Sequence, residues 1–437
     1  MTEYVCKKPG PKSVRVIKRD EKVIAPCITR EYSFVYKKAK GVYIWDADDK
    51  KYLDFAAAVA VMNIGHDNPE VGKAIREQYK YGAHCGFADF YAEVPVRFAE
   101  KLLLMLPKAL EQGRVFLSNS GTEAVEAAYK LARYHKNKKW TIAFRGAFHG
   151  RTMGSLSMTN SRSVQRERYE PFLPVMHVPY PNWYRMRMEP EECADYCLAG
   201  LERTMQQVKN DLACVFIEPI QGEGGYVVQP KGFVSGVRKL CDEYNALLCD
   251  DEVQAGCFRT GKFLAIENFG VTPDVVSLSK AIGGGIPLGA TVAGEKIMKG
   301  WTPGSHANTF GGNLLACAGG IAALEFMKKK KLGQNAIKRG AQIMKRLHEW
   351  EEEYEIVGNV RGIGLMIGIE IVKSKDTREP DPEVRDAIIC RALEKRLLLL
   401  PAGESVVRIC PPLIISKEEA DKGLDTIELA IRAVQKR

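Results

Sequence analysis

The stretch from Asn245 to Gly285 constrains this chain more than any other. Ala246-Leu247-Leu248-Cys249 is a short apolar run that turns acidic at Asp250-Asp251-Glu252. After a mixed interval, Val275-Val276-Ser277-Leu278 repeats the pattern, ends on Ser279-Lys280 and runs into Gly283-Gly284-Gly285. Short apolar runs that release charge at their C-terminal ends are how parallel strands deliver ligand-binding residues. One run delivers carboxylates and the other a lysine.

The same alternation covers the middle of the chain. Strands are predicted at 115–117, 141–144, 214–217 and 288–292, with helices at 123–134, 202–209, 234–244 and 313–330. Repeated strand–helix alternation predicts an α/β fold with a mostly parallel sheet covered by helices. Before it, Gly41 to Phe55 alternates in polarity as a hairpin turning at Asp46-Ala47-Asp48-Asp49, and helices are predicted at 69–80 and 93–106. Pro9, Pro11 and Pro26 argue against a long early helix. Residues 180–192 look irregular. After Leu332 come a helix to Tyr354, a single strand in VRGIGLMIGIEI, a helix at 383–395, a strand at 406–409 and a capping box at Ser416–Glu419. The domain division expected is residues 1–60 and 331–437 in a smaller α+β unit built from both chain ends, and 61–330 in a large one.

Composition excludes several function classes. A formal charge of +10 is spread along 437 residues without a basic stripe interleaved with aromatics, which argues against a nucleic-acid partner. No signal peptide or membrane-length apolar run is present, so the expected location is cytoplasmic, with no membrane partner. The 12 cysteines lie singly, as mostly reduced thiols do, and Cys193 and Cys197 read as helix side chains rather than a zinc site. No HExxH occurs and no metal is expected. Gly256 to Lys262 has the GxxxxGK spacing of a nucleotide loop, but Phe263 stands where the Mg-binding hydroxyl belongs.

Several residues could carry chemistry. Lys280, directly before a glycine-rich turn, could form an imine with an aldehyde and then carry a proton. An acid near it would keep a pyridine nitrogen protonated, the combination that pyridoxal phosphate chemistry needs. Asp251, Asp250 and Glu252 all remain candidates, although alternation along a strand prevents them from sharing one face. Ser118-Asn119-Ser120-Gly121-Thr122-Glu123 at a helix start is a plausible phosphate cradle. Phe148-His149 could cover an aromatic ring. Arg151 and Arg408 could each clamp a carboxylate in a bidentate manner, and Glu223 could pair with one of them.

In SNSGTEA, GAFHGRT, IEPIQGEGG, DEVQAG, SKAIGGGIPLGA, ANTFGGN and RICPPL, taken in order, the chain resembles the class III pyridoxal-phosphate aminotransferases from about residue 35 onward. The resemblance implies a fold type I enzyme with a seven-stranded, mostly parallel sheet and a smaller α+β domain. It implies that Lys280 is the Schiff-base lysine, that Asp251 faces the pyridine nitrogen and that Gln254 meets the phenolic oxygen. Gly121 and Thr122 would bind phosphate, Phe148 would stack on the ring beside His149, and Glu218 would lie near the cofactor. Thr309 would reach the phosphate of a neighbouring subunit, which implies a homodimer. Arg408 would bind a substrate carboxylate, with Glu223 as its switch partner and Arg151 as a second clamp. Val59 stands where the ornithine enzymes have tyrosine, and Phe87 lies in the neighbouring pocket-forming stretch. These apolar residues favour 4-aminobutyrate or another ω-amino acid over ornithine, with 2-oxoglutarate as acceptor. The alternative is an amino-acid racemase or epimerase on the same fold.

Overall fold

The computed structural model describes residue 6 and residues 9–435. A seven-stranded sheet lies at its centre, in the spatial order Arg114–Ser118, Gly289–Ala293, Val275–Leu278, Leu247–Asp251, Leu212–Ile217, Trp140–Phe144, Val175–Val178. Gly289–Ala293 runs antiparallel to both neighbours, and the other pairings are parallel. Every residue of Leu212–Ile217 and Leu247–Asp251 is buried, which explains why these strands read as continuous apolar runs rather than alternating ones.

Two further four-stranded sheets are present. The hairpin of Tyr43–Asp46 and Lys51–Asp54 forms as predicted, and its second strand pairs in parallel with Leu397–Leu398 from the far end of the chain. The other sheet orders Val357–Ile363, Met366–Ile371, Val406–Ile409 and Leu400–Ala402. VRGIGLMIGIEI is thus two strands rather than one, paired from Ile363↔Met366 outward around Gly364, whose φ of +59° suits the tight reversal.

Prolines misled the sequence reading twice. Pro11 opens a 13-residue helix, Pro11–Val23, and Pro190 opens Pro190–Val208, longer than the 202–209 segment predicted and reaching into the stretch read as irregular. At the first helical position a proline loses no hydrogen bond and its fixed φ suits the helix. The C-terminal capping box is present, with Ser416 Oγ accepting from Glu419 N–H and the Glu419 carboxylate accepting from Ser416 N–H.

A disulfide joins Cys6 to Cys390, and ten cysteines are free. Single placement along the chain gave no sign of this bond, because its partners are 384 residues apart. Among the described residues no helix is long and apolar enough to cross a membrane.

Candidate active site

Parallel strands of the central sheet end on one side, and five of these ends supply a group. Arg114–Ser118 leads into Gly121–Lys136, whose N-cap Ser120 accepts from Glu123 N–H at 3.3 Å. Trp140–Phe144 leads into Phe148-His149, Leu212–Ile217 releases Glu218, Leu247–Asp251 ends on Asp251, and Val275–Leu278 delivers Lys280. A cavity of about 260 Å³ is lined by Gly121, Thr122, Phe148, His149, Arg151, Glu218, Asp251, Gln254 and Lys280, together with Gly150 and Val253. A larger one, about 620 Å³, lies between the N-terminal segment and Pro382–Glu394 and contains none of these groups.

Strand alternation decides which acid faces the cavity. Asp251 Oδ2 is 2.7 Å from His149 Nδ1, and Oδ1 accepts from Val253 N–H at 3.0 Å. Asp250 and Glu252 point the other way into the interior, where burial and then their mutual interaction push Asp250 well up; burial first raises Glu252 to about 7. Burial opposes a charge on His149, but the hydrogen bond and charge of Asp251 outweigh it and raise its pKa. Glu218 receives Phe148 N–H at 2.8 Å and Gly222 N–H at 3.0 Å, while burial lifts it to about 7 against the pull of His149. Burial lowers the Lys280 amine, with Glu223 and Asp251 partly offsetting the shift.

The helix start has the form of an anion cradle. A Cβ on Gly121 would sit 2.6 Å from Val253, and one on Gly150, at φ +135°, would sit 2.3 Å from Thr122 Oγ1. Thr122 Oγ1 lies 2.7 Å from Thr152 Oγ1 and 2.6 Å from Ser155 Oγ. Glu126, one turn along from Thr122, accepts from Thr152 Oγ1 and from the N–H groups of Gly154 and Ser155. This support was not found from sequence, although Thr122 and Glu126 share a helix face at i, i+4. Buried Gln254 Oε1 has no hydrogen-bond partner among the described residues and belongs to a side chain that lines the cavity. The N–H groups of a helix start, an amine, a carboxylate and an unpaired acceptor together fit pyridoxal 5′-phosphate.

Arg408 and Glu223 meet as an ion pair, Nη1 to Oε1 at 2.8 Å and Nη2 to Oε2 at 3.4 Å. Arg408 Nε also donates to Pro401 O at 2.9 Å. Burial disfavours both charges, but each partner outweighs it, holding Glu223 below the usual carboxylate range and Arg408 above the usual guanidinium range. The loop carrying Glu223 is fixed from behind, because Arg361, paired with Glu370 at 2.6 Å, donates to Gly225 O at 2.7 Å. Arg151 is exposed, with its guanidinium 5.0 Å from the centre of the Phe148 ring.

Five of the site residues singled out from sequence do not line this cavity: Glu223 and Arg408, which meet each other, and Thr309, Phe87 and Val59. Thr309 is exposed, and Phe87 lies against Gly312 of the same ANTFGGN segment, where a Cβ would be 2.5 Å from its ring. Phe87 and Thr309 thus belong to one surface region, separate from the cavity walls of their own chain. Val59 is half-buried in a turn of unusual hand, Ala57–Ala60.

The family model for class III aminotransferases matches residues 27–431. The chain is 38% identical over 404 residues to leucine/methionine racemase from Thermococcus litoralis, covering 91% of this chain and 90% of that one. It is 35% identical over 403 residues to a probable 4-aminobutyrate aminotransferase from Bacillus subtilis, covering 91% and 92%. Among solved structures, an (S)-enantioselective omega-transaminase from Thermomicrobium roseum superimposes with a TM-score of 0.90 at 29% identity, covering 98% of this chain and 100% of that one.

Proposed function

We infer the reaction from one premise: this chain belongs to the class III aminotransferases, enzymes that work with pyridoxal 5′-phosphate and exchange amino groups between amino acids and oxo acids. Within that chemistry we read the donor as an ω-amino acid of the 4-aminobutyrate kind and the acceptor as 2-oxoglutarate. The observation that carries this reading is the Glu223–Arg408 pair beside Lys280. Closed, the pair presents a neutral wall to a terminal amine; opened, it frees a guanidinium for the carboxylate of a dicarboxylic acceptor.

Pyridoxal phosphate, when bound, supplies an electron sink that acidifies the C–H bond next to the substrate nitrogen. The protein's groups do the rest. Burial of Lys280 favours its neutral amine, the form that attacks a carbonyl carbon and accepts a proton. Asp251, held between His149 and the Val253 N–H, supplies negative charge to the ring nitrogen. The N–H groups at Gly121 and Thr122 would hold the phosphate, Phe148 would cover the ring, and Gln254 would meet the phenolic oxygen. Arg151 is the second clamp. Thr309, exposed, and Phe87, half-buried against Gly312 of the same segment, are assigned to the site of a second copy in a homodimer. Val59 is assigned to the substrate wall.

Racemisation is the second reading, favoured by the 38% identity to leucine/methionine racemase. Both reactions begin with the same proton removal, and they differ in where the proton returns. Incubating the purified enzyme with 4-aminobutyrate, ornithine, lysine, leucine and alanine, with and without 2-oxoglutarate, separates them by chiral chromatography. Amino transfer that requires the oxo acid supports the proposal. Inversion of leucine or alanine without an oxo acid, with no transfer from 4-aminobutyrate, overturns it.

A further inference from the structure

Four consecutive non-glycine residues, Ala57, Ala58, Val59 and Ala60, have φ values of 45°, 49°, 59° and 61°. Left-handed backbone is disfavoured for every L-residue with a Cβ, most of all for a β-branched one, and it normally occurs as single residues. A whole turn of it persists only where its surroundings over-determine it. Here they do. Asp54, 1% exposed, accepts from the N–H groups of Ala56 at 2.8 Å and Ala57 at 2.9 Å through Oδ1, and Oδ2 lies 2.7 Å from His66 Nε2. His66 is in turn tied through its backbone to Gly41 by hydrogen bonds of 2.8 and 2.9 Å.

The turn links the two halves of the site. Phe55 O, just before it, accepts from Cys410 N–H at 2.8 Å, two residues beyond Arg408. Ala60 packs with Tyr226 and Cys410, and the Tyr226 ring is 5.9 Å from the Arg408 guanidinium. On the other side, Met62 abuts Gly285 and Ile64 abuts Gly284, in the glycine run that follows Lys280. Ala57 and Ala60 are buried, while Ala58 is exposed and Val59 half-buried, so the left-handed twist turns the middle two residues outward.

We propose that Asp54 and His66 are positioning residues for substrate recognition: they lock the left-handed turn whose outward residues, Ala58 and Val59, form the wall that selects side chains between Lys280 and Arg408. The proposal rests on the reading of Lys280 and Arg408 given above. Neither Asp54 nor His66 reaches the reacting atoms; both act through the turn. The wall is a strained backbone feature, so its position depends on the anchors more than on the wall residues' own preferences.

The test uses the cofactor-loaded enzyme and three variants. Ala58→Gly relieves strain, so Tm holds or rises by about 1–3 °C, although glycine lowers Tm at ordinary positions. Its preference for 4-aminobutyrate over leucine, as a ratio of kcat/KM, falls by about tenfold because the wall is released. Asp54→Asn and His66→Gln shift the same ratio in the same direction, raise KM more than kcat changes, and leave cofactor content, read by absorbance, near one per chain. In an Ala58→Gly background, Asp54→Asn shifts the ratio by less than twofold, since both act on one element. A fall in Tm for Ala58→Gly, or anchor variants that lose cofactor while keeping the wild-type ratio, overturns the proposal; if Asp54→Asn does not fold, Ala58→Gly and His66→Gln decide it. Arg408→Gln is the separate control. If it leaves KM unchanged for every carboxylate substrate, the reading of the site fails, and the turn proposal with it; if it raises KM while the turn variants keep the wild-type ratio, the turn proposal alone fails.

Discussion

Replacing Glu223 with glutamine preserves the shape of the side chain and removes the charge that holds Arg408. The pair makes contacts of 2.8 and 3.4 Å, with the Arg408 side chain 6% exposed and that of Glu223 18% exposed. At an effective dielectric near 20, unit charges about 4 Å apart attract by roughly 4 kcal/mol. The glutamine oxygen recovers about 1 kcal/mol as an ordinary acceptor. The hold on Arg408 therefore weakens by about 2–3 kcal/mol, a factor of roughly 30–150. An acceptor carboxylate that must displace Glu223 gains from this, so KM for 2-oxoglutarate should fall by about tenfold or more. A 4-aminobutyrate-like donor instead meets an uncompensated guanidinium, and its KM should rise. Arg408 keeps Pro401 O as a partner at 2.9 Å, so the stability loss should stay below the roughly 3–5 kcal/mol typical of a buried pair stripped of one member. Single-turnover measurements of each half-reaction, followed by cofactor absorbance, separate the two KM values. Equal changes in both, or none in either, would refute the switch and leave Glu223 as structural support only.

Gly150→Ala places a methyl 2.3 Å from Thr122 Oγ1 at a φ of +135°, a strain of about 1–3 kcal/mol before any clash. Cofactor affinity by equilibrium dialysis should fall at least tenfold, and unchanged affinity would remove Thr122 from the cradle. Reduction of Cys6–Cys390 should lower stability by about 2–4 kcal/mol in denaturant titration, and Cys390→Ala should abolish the effect of reductant. Persistence of that effect in the variant would place its origin elsewhere. Burial raises Glu218 from 4.5 to about 7, so the folded state holds a proton that the unfolded state has released. The stabilisation is full below about pH 4.5 and is lost as pH rises through about 7, on the order of 3 kcal/mol for this group. Asp250, Glu252 and His149 are shifted in the same direction. Cofactor-free protein should therefore melt lower at pH 8 than at pH 5.5, with the difference reduced in Glu218→Gln; a higher melting temperature at pH 8 contradicts this reasoning.

Sequence by itself determined the elements whose signal is local. Continuous burial produced the apolar runs at Leu247–Cys249 and Val275–Leu278, and the charge change at their ends located Lys280 and an acidic trio from which the structure selects Asp251. The helix start after Ser120 and the Ser416–Glu419 box were legible because their partners lie within four residues. The prolines at 11 and 190 were visible but ambiguous, since the same residue breaks a helix interior and opens a first turn. Tertiary structure alone decided which distant groups meet. His149 and Asp251 are 102 residues apart, Arg408 and Glu223 are 185, and Cys6 and Cys390 are 384. The left-handed turn belongs with these: nothing in Ala57-Ala58-Val59-Ala60 favours that hand, and it is imposed by Asp54, His66 and the strand that carries Arg408. Periodicity reports which face of an element is buried, but not what lies against that face; that depends on the order in which the strands assemble.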